Sequence, residues 1–135
     1  MTVVVVAPGQ GSQTPGFLQP WLAEPRFSEH LDRLADAAGI DLRTHGTVSD
    51  ADTIRDTAIA QPLIVAASLL SFAAVTDGGR RAEVGGVAGH SVGELAAAAA
   101  AGILTEEQAM SLVATRGAAM ADAASGVQTG MSAVV

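Results

Sequence analysis

The sequence predicts one α/β domain, in which parallel strands alternate with helices. Apolar β-branched runs that end at glycine indicate the strands, and segments with apolar residues at helical spacing follow them. The chain has 135 residues, of which 49% are hydrophobic and 16% are charged. It is therefore long enough for one core and too short for two ordinary domains.

The first half of the chain predicts one strand and two helices. Val3-Val4-Val5-Val6, closed by Pro8-Gly9, is typical of a strand that is buried on both faces. Pro25 to Ala38 predicts a helix that ends at Gly39, and residues 49–52 predict the start of a short one. The apolar stripe of the longer helix consists of Phe27, Leu31, Leu34 and Ala38.

The next segments predict the centre of the fold. Pro62 suits the first turn of a helix that runs to about Val75 and has so little polar surface that we expect it to be central. Residues 76–82 predict a surface turn, and residues 84–88 predict a second strand that two glycines weaken. A helix from Ser91 to about Ala101 follows this strand.

The last predicted helix starts with a capping box. Thr105 and Gln108 stand at the two ends of this motif, and the helix runs to about Ala123. The chain then continues with a predicted loop over residues 125–130 and the beginning of a strand at Met131 to Val135. Strands and helices thus alternate in the predicted order of elements.

Composition narrows the classes of function. The absence of cysteine excludes disulfides, thiolate metal sites and a cysteine nucleophile. All seven basic residues are arginine, and a net charge of −7 argues against nucleic acid as a partner. The apolar run at residues 2–7 lacks a basic flank, and the alanine run at 96–101 is too short to span a membrane. We therefore expect a cytoplasmic protein that contacts neither membrane nor nucleic acid.

A candidate nucleophile lies between the second strand and the helix that follows it. Gly89-His90-Ser91-Val92-Gly93 fits the Gly-x-Ser-x-Gly elbow, which holds a serine on a sharp strand-to-helix turn. Glycine accepts the backbone angles and close contacts of such a turn. The motif predicts that Ser91 forms a covalent acyl intermediate. The alternative is a glycine-rich turn without chemistry.

A serine nucleophile needs a general base, which is usually a histidine. His90 adjoins Ser91, but neighbouring side chains on a tight turn diverge, so we expect His90 to pack against the turn or orient it. His30 on a helix and His45 in a loop are expected to be solvated or to cap. No histidine follows residue 91, so the sequence identifies no base.

A glycine-rich loop, Pro8-Gly9-Gln10-Gly11-Ser12-Gln13, follows the first strand. It does not fit a dinucleotide fingerprint, because Thr14 stands where the third glycine would be. Beside an elbow, the backbone N–H groups of such a loop can stabilise a developing oxyanion, with a second donor from Val92, the residue after the nucleophile. Alone, the loop is equally consistent with a plain turn.

Arg116 lies on an apolar stripe of the last predicted helix. The stripe also contains Leu112, Val113 and Met120. A buried arginine is costly unless it meets a carboxylate, and a substrate carboxylate would suit its planar guanidinium. Spacing alone favours an internal ion pair, for which the candidate partners are Glu94 and Asp122.

Together these motifs resemble the malonyl-CoA:acyl carrier protein transacylases of fatty-acid synthesis and the related acyltransferase domains of polyketide synthases. Five pieces match in order and spacing along the 135 residues. They are Pro8-Gly9-Gln10-Gly11-Ser12-Gln13, Gln61-Pro62, Gly89-His90-Ser91-Val92-Gly93-Glu94, Arg116-Gly117 and Gly130-Met131-Ser132-Ala133.

The resemblance implies a ping-pong transfer without a bound cofactor or metal. Ser91 takes the malonyl group from coenzyme A, and the phosphopantetheine thiol of an acyl carrier protein then accepts it. The resemblance assigns the oxyanion hole to the backbone N–H groups of Gln10 and Val92. It makes Arg116 the clamp on the malonyl carboxylate, which reverses the preference from spacing. It also places Gln61 and His90 at the substrate pocket. Neither of these residues is the general base.

The resemblance also implies what this chain lacks. Family members are more than twice as long, and their catalytic histidine lies in the part absent here. Residues 1–129 correspond to the N-terminal part of an α/β-hydrolase-like large subdomain with parallel strands and flanking helices. Residues 130–135 are a candidate first strand of the small ferredoxin-like subdomain, which is otherwise missing. We therefore expect the chain to be inactive alone, with the missing C-terminal portion as a candidate partner.

Two alternatives stay open. A serine esterase or thioesterase would also use Ser91 but would not need a carboxylate clamp at Arg116. A non-catalytic fragment that binds the carrier protein is consistent with the missing histidine. The sequence also leaves open the choice between malonyl and methylmalonyl, and between fatty-acid and polyketide synthesis.

Overall fold

The computed structural model describes residues 2–126, in which strands and helices alternate. These residues form two strands and five α-helices, joined by turns and short 3-10 helices. They are β1 (Val3–Ala7), α1 (Pro25–Ala38), α2 (Leu42–Thr47), α3 (Thr57–Thr76), β2 (Val84–Gly89), α4 (Gly93–Ala100) and α5 (Glu106–Ser125). The strand predicted at 131–135, and all but the first two residues of the loop predicted before it, lie outside the described residues.

β1 and β2 pair in parallel, which confirms the predicted α/β class. Ala7 lies opposite Gly89, so both strands end at the same edge of the sheet. Gly85 does not interrupt β2. A Cβ at this position would lie 2.1 Å from Cγ2 of Thr2, so the glycine makes room for the residue that precedes β1.

The expectation that the first strand is buried on both faces is wrong for the described residues. Val4 and Val6 are 62% and 71% exposed, whereas Val3 and Val5 on the opposite face are half-buried. Side chains alternate between the two faces of a strand, and no element within residues 2–126 covers the face of Val4 and Val6. A β-branched run indicates a strand, but it does not say which elements cover it.

α3 is the central helix, as predicted. It packs against α5, α4 and α1. The segment Thr57–Glu83 is long and apolar enough to span a membrane by length and composition alone, but half of its apolar window is buried inside the protein. Such burial is typical of the core helix of a soluble domain. The fully buried side chains of α3 are those of residues 60–66, Leu69 and Leu70.

The ends of two helices agree with the sequence pattern. α1 ends at Gly39, which adopts the left-handed conformation with φ of 66°. α5 begins with the predicted capping box: the Gln108 N–H donates to the Thr105 hydroxyl, and the Thr105 N–H donates to the Gln108 side chain. The helix continues to Ser125.

The predicted start of the central helix is wrong. α3 begins at Thr57, so Pro62 lies in the helix interior rather than in the first turn. Asp56 is the N-cap, and its carboxylate accepts a hydrogen bond from the Ala58 N–H at 2.8 Å. Proline has no N–H to donate to the carbonyl four residues earlier, so one backbone hydrogen bond of the helix is missing. This turn is buried in the core, and its packing stabilises the helix without that bond.

The pattern does not indicate α2, and His45 lies in this helix rather than in a loop. Asp41 starts the helix, because its carboxylate accepts a hydrogen bond from the Thr44 N–H at 2.9 Å. The same hydrogen bond lowers the pKa of Asp41. The side chain of His45 is satisfied locally, with Nδ1 at 3.0 Å from Oγ of Ser49.

The predicted short helix at 49–52 and the predicted surface turn at 76–82 are both replaced or accompanied by 3-10 structure. Residues 49–52 precede the 3-10 helix Thr53–Arg55, and the Asp50 carboxylate accepts a hydrogen bond from the Thr53 N–H at 2.8 Å. That hydrogen bond lowers the pKa of Asp50. The surface turn predicted at 76–82 is confirmed: Asp77–Glu83 consists of 3-10 turns interrupted at Gly78 and Gly79, whose φ angles of 67° and 87° are not helical.

His30 is buried, so the expectation of a solvated or capping side chain is wrong. Its Nε2 lies 2.6 Å from Oε2 of Glu106, in the first turn of α5. This contact connects α1 to α5. The sequence pattern does not reveal it, because the two residues are far apart along the chain.

Candidate active site

Ser91 lies on a strained turn between β2 and α4. Its φ is 55°, and it is the one non-glycine residue of the described chain with a positive φ. This conformation costs a non-glycine residue about 1–2 kcal/mol. α4 begins at Gly93, two residues later than the Ser91 start predicted from the sequence. The turn leaves Ser91 exposed, which is the geometry that the Gly-x-Ser-x-Gly motif predicts.

The glycines of the elbow are required by space. A Cβ at Gly89 would lie 2.2 Å from the carbonyl group of Gly93, and a Cβ at Gly93 would lie 2.4 Å from the carbonyl oxygen of Ala7. These are contacts with backbone, so no change of rotamer relieves them. A Cβ at Gly9 in the glycine-rich loop would lie 2.4 Å from Nδ1 of His90. Glycine at these positions lets α4 start directly against the end of β1.

We expect Gly93→Ala to lower the free energy of unfolding by about 1–3 kcal/mol, because its Cβ forces α4 away from β1. Urea denaturation followed by circular dichroism measures this change. Gly126→Ala is the matched control, because a Cβ there meets open space and φ is −90°. Equal stability of the two variants would contradict the close contact between α4 and β1.

The glycine-rich loop lies beside the elbow, because β1 and β2 are neighbours and end at the same edge. The loop is anchored to α3, since Nε2 of Gln10 donates a hydrogen bond to Oγ1 of Thr57 at 3.2 Å. The backbone N–H groups of Gln10 and Val92 donate to no other group within residues 2–126. Two backbone donors near the elbow are therefore not used by the fold.

Arg116 extends from α5 to the elbow. Its Nη2 donates a hydrogen bond to Oγ of Ser91 at 3.3 Å, and its Nη1 donates to Oε1 of Gln61 at 2.6 Å. The ion pair that spacing favours, with Glu94 or Asp122, is not formed in the described structure. A half-buried guanidinium is thus held by a neutral amide and directed at the candidate nucleophile.

The stripe predicted for α5 is partly wrong. Leu112 and Met120 are 48% and 40% exposed, so the helix is rotated relative to that prediction. The side of α5 that faces the core is narrow, with four buried residues, and half-buried Arg116 lies at its border. The buried residues of α5 are Ala109, Met110, Val113 and Gly117.

Gln61 connects α3 to α5 from a position that is 1% exposed. Besides accepting from Arg116, its side chain donates through Nε2 to Sδ of Met120 at 3.2 Å. Gly117 allows the two helices to approach, because a Cβ there would lie 3.0 Å from the carbonyl oxygen of Thr57. No sequence motif indicates that Met120 or Thr57 lies at the site. For Met120, its place one helical turn after Arg116 is the signal that points to the site.

No described histidine forms a hydrogen bond with Ser91. The ring of His90 packs against Gly9, while His30 and His45 are paired elsewhere in the fold. Within residues 2–126, no group of His, Asp and Glu side chains has the arrangement of a metal site. The described part of the chain therefore brings together a candidate nucleophile, two free backbone donors and a cation, and no histidine within hydrogen-bond distance of Ser91.

The family model named acyl transferase domain matches residues 4–135, which is nearly the whole chain. The chain belongs to this family. The acyltransferase relatives include the malonyl CoA-acyl carrier protein transacylase of Mycobacterium tuberculosis, which is 48% identical over 98% of this chain and 44% of that protein. The family suggested by the sequence motifs is thus confirmed.

Solved acyltransferase structures share the fold. The crystal structure of MCAT from Mycobacterium tuberculosis matches with a TM-score of 0.87 and 46% identity, over 93% of this chain and 42% of that one. A type II polyketide synthase acyl-carrier protein in complex with its malonyl-transacylase gives a TM-score of 0.82 at 32% identity, over 91% and 40% of the two chains. The chain spans less than half the length of these relatives.

Proposed function

We propose that this chain carries the nucleophile and the acyl clamp of an enzyme that moves a malonyl group from coenzyme A to the phosphopantetheine thiol of an acyl carrier protein. The contact between Arg116 and Ser91 carries the proposal. A guanidinium with no carboxylate partner among the described residues lies 3.3 Å from the hydroxyl of an elbow serine. A malonyl thioester has a carboxylate that can bind the guanidinium of Arg116 and a carbonyl carbon that the hydroxyl of Ser91 can attack.

The transfer consists of two half-reactions. Oγ of Ser91 attacks the thioester carbonyl carbon, an ester bond forms, the C–S bond breaks, and a base passes the hydroxyl proton to the leaving coenzyme A thiolate. The phosphopantetheine sulfur then attacks the ester carbonyl carbon, a thioester C–S bond forms, the C–O bond to Ser91 breaks, and the thiol proton returns to Oγ of Ser91. Each step places negative charge on the carbonyl oxygen. The backbone N–H groups of Gln10 and Val92 are the proposed donors to this oxyanion.

Arg116 is the proposed clamp for the free carboxylate. One methylene separates this carboxylate from the thioester carbonyl, so the clamp and the nucleophile must be neighbours. The hydrogen bond from Arg116 to Gln61 fixes the guanidinium before a substrate binds, which reduces the entropy lost on binding. His90 packs against Gly9 and orients the turn.

The general base is proposed to come from outside these 135 residues, because the chain has three histidines and none is placed to act on Ser91. A C-terminal portion is the proposed source. In this proposal residues 1–129 belong to an α/β-hydrolase-like large subdomain, and residues 130–135 begin a small ferredoxin-like one. The enzyme would act in the cytoplasm, without a cofactor of its own, in fatty-acid or polyketide synthesis.

We expect the chain alone to show no burst of acylation with malonyl-CoA, because loss of one member of a catalytic triad typically costs a factor of ~10^4 to 10^6. Imidazole, a diffusible base, should accelerate acylation, since Ser91 is exposed. Mass spectrometry of the intact chain over time measures both rates, with Ser91→Ala as the control.

A rapid burst of acylation without imidazole would contradict the proposal that the general base comes from outside these 135 residues. A chain that is never acylated, at any imidazole concentration, would contradict the proposed chemistry. The absence of a base among the described residues would then favour a non-catalytic role in binding the carrier protein. Titration of the chain with a carrier protein would test that role directly.

A further inference from the structure

The amide of Gln61 has a defined orientation between two side chains of α5. Its Oε1 accepts a hydrogen bond from Nη1 of Arg116 at 2.6 Å, and its Nε2 donates to Sδ of Met120 at 3.2 Å. The amide is 1% exposed, so water cannot replace either partner freely. No buried side-chain nitrogen or oxygen of the described chain lacks a hydrogen-bond partner.

The chemistry of the two neighbours allows one orientation of this amide. A guanidinium donates hydrogen bonds and accepts none, so it requires Oε1. A thioether has no donor and accepts weakly, so it suits the NH2 group. Rotating the amide by half a turn would place donor against donor at Arg116 and acceptor against acceptor at Met120. Both contacts would leave buried polar groups unsatisfied.

We propose that Met120 is a positioning residue for Arg116 and acts through Gln61. Met120 follows Arg116 by four residues, so both side chains leave α5 on the same side. The sulfur holds the amide in the orientation that directs Oε1 to the guanidinium. The guanidinium is thereby held beside Ser91. An effect of Met120 on acyl selectivity rests on the proposed function. The contacts among Met120, Gln61 and Arg116 are independent of it.

Nuclear magnetic resonance of the side-chain groups tests the geometry without any substrate. In Met120→Leu, which keeps the volume and removes the acceptor, we expect the Gln61 NH2 resonances to shift and the Arg116 Nε–H resonance to broaden. Met120→Gln supplies an amide oxygen at a similar reach and should restore both signals. Leu112→Ala is the matched control, because it truncates another exposed apolar side chain of α5. Unchanged Gln61 and Arg116 signals in Met120→Leu would overturn the proposal.

Acylation in the presence of imidazole tests the consequence. We expect Met120→Leu to lower the rate with malonyl-CoA relative to acetyl-CoA by roughly threefold to tenfold, the effect of losing one hydrogen bond. Met120→Gln should recover the ratio. A changed Arg116 signal with an unchanged ratio would overturn the positioning role. If no acylation occurs in the wild type, the proposed function fails, and the resonance experiment still decides the geometry.

Discussion

Replacing Ser91 with glycine is expected to abolish acylation and to raise the free energy of unfolding. The variant has no hydroxyl, so no malonyl ester can form, whichever base is present. Glycine adopts the φ of 55° without the steric cost that serine bears, and we expect a gain of up to about 1 kcal/mol after the entropy of the unfolded chain is subtracted. Urea denaturation measures the stability, and mass spectrometry measures the acylation.

Ser91→Ala is the matched control for both effects. It also lacks the hydroxyl, so acylation should be lost, but its Cβ keeps the backbone strain and its stability should stay close to that of the wild type. If Ser91→Gly is no more stable than Ser91→Ala, the strained elbow is not present. Acylation that persists in either variant would move the nucleophile to another residue.

Replacing Arg116 with alanine is expected to slow acylation by malonyl-CoA roughly 10- to 100-fold, the effect of losing a charge-assisted hydrogen bond. Acylation by acetyl-CoA should change little, because an acetyl group has no carboxylate for the clamp. The comparison uses initial rates with the two thioesters under the same imidazole concentration. Any effect of the substitution on the reactivity of Ser91 changes both rates equally and cancels in their ratio.

Two variants serve as controls for the clamp. Arg116→Lys keeps the positive charge and loses the planar fork, so we expect an intermediate ratio. Arg33→Ala removes an exposed arginine of α1 and should leave the ratio unchanged. Equal losses with both thioesters in Arg116→Ala would contradict the clamp. They would favour an esterase or thioesterase, which needs no carboxylate site.

The sequence predicts much of the fold, because local patterns specify these elements. The Gly39 end of α1, the Thr105 capping box of α5 and the apolar character of α3 are all local features. The misplaced start of α3 has a local cause too, since Asp56 caps the helix and Pro62 is tolerated in its buried interior. The exposure of Val4 depends on what packs against the sheet, which a short pattern does not contain.

The candidate site likewise contains some features that local sequence patterns predict and others that depend on the packing of distant segments. The elbow at Ser91 and the glycine-rich loop are contiguous motifs and are read from the sequence. The partner of Arg116 is not contiguous: spacing along α5 favours an ion pair, whereas the fold brings in Gln61 from α3. The contact between His30 and Glu106 is missed for the same reason, since only the packing of α1 on α5 creates it.

The proposed function requires that Arg116 binds the carboxylate of a malonyl thioester beside Ser91. Titration of the isotope-labelled chain with malonyl-CoA, followed through the Arg116 Nε–H resonance, tests it most directly. We predict a saturable shift of this resonance with malonyl-CoA and no comparable shift with acetyl-CoA at the same concentration. Equal shifts with both thioesters, or an Arg116 resonance that malonyl-CoA leaves unchanged at saturation, would contradict the claim.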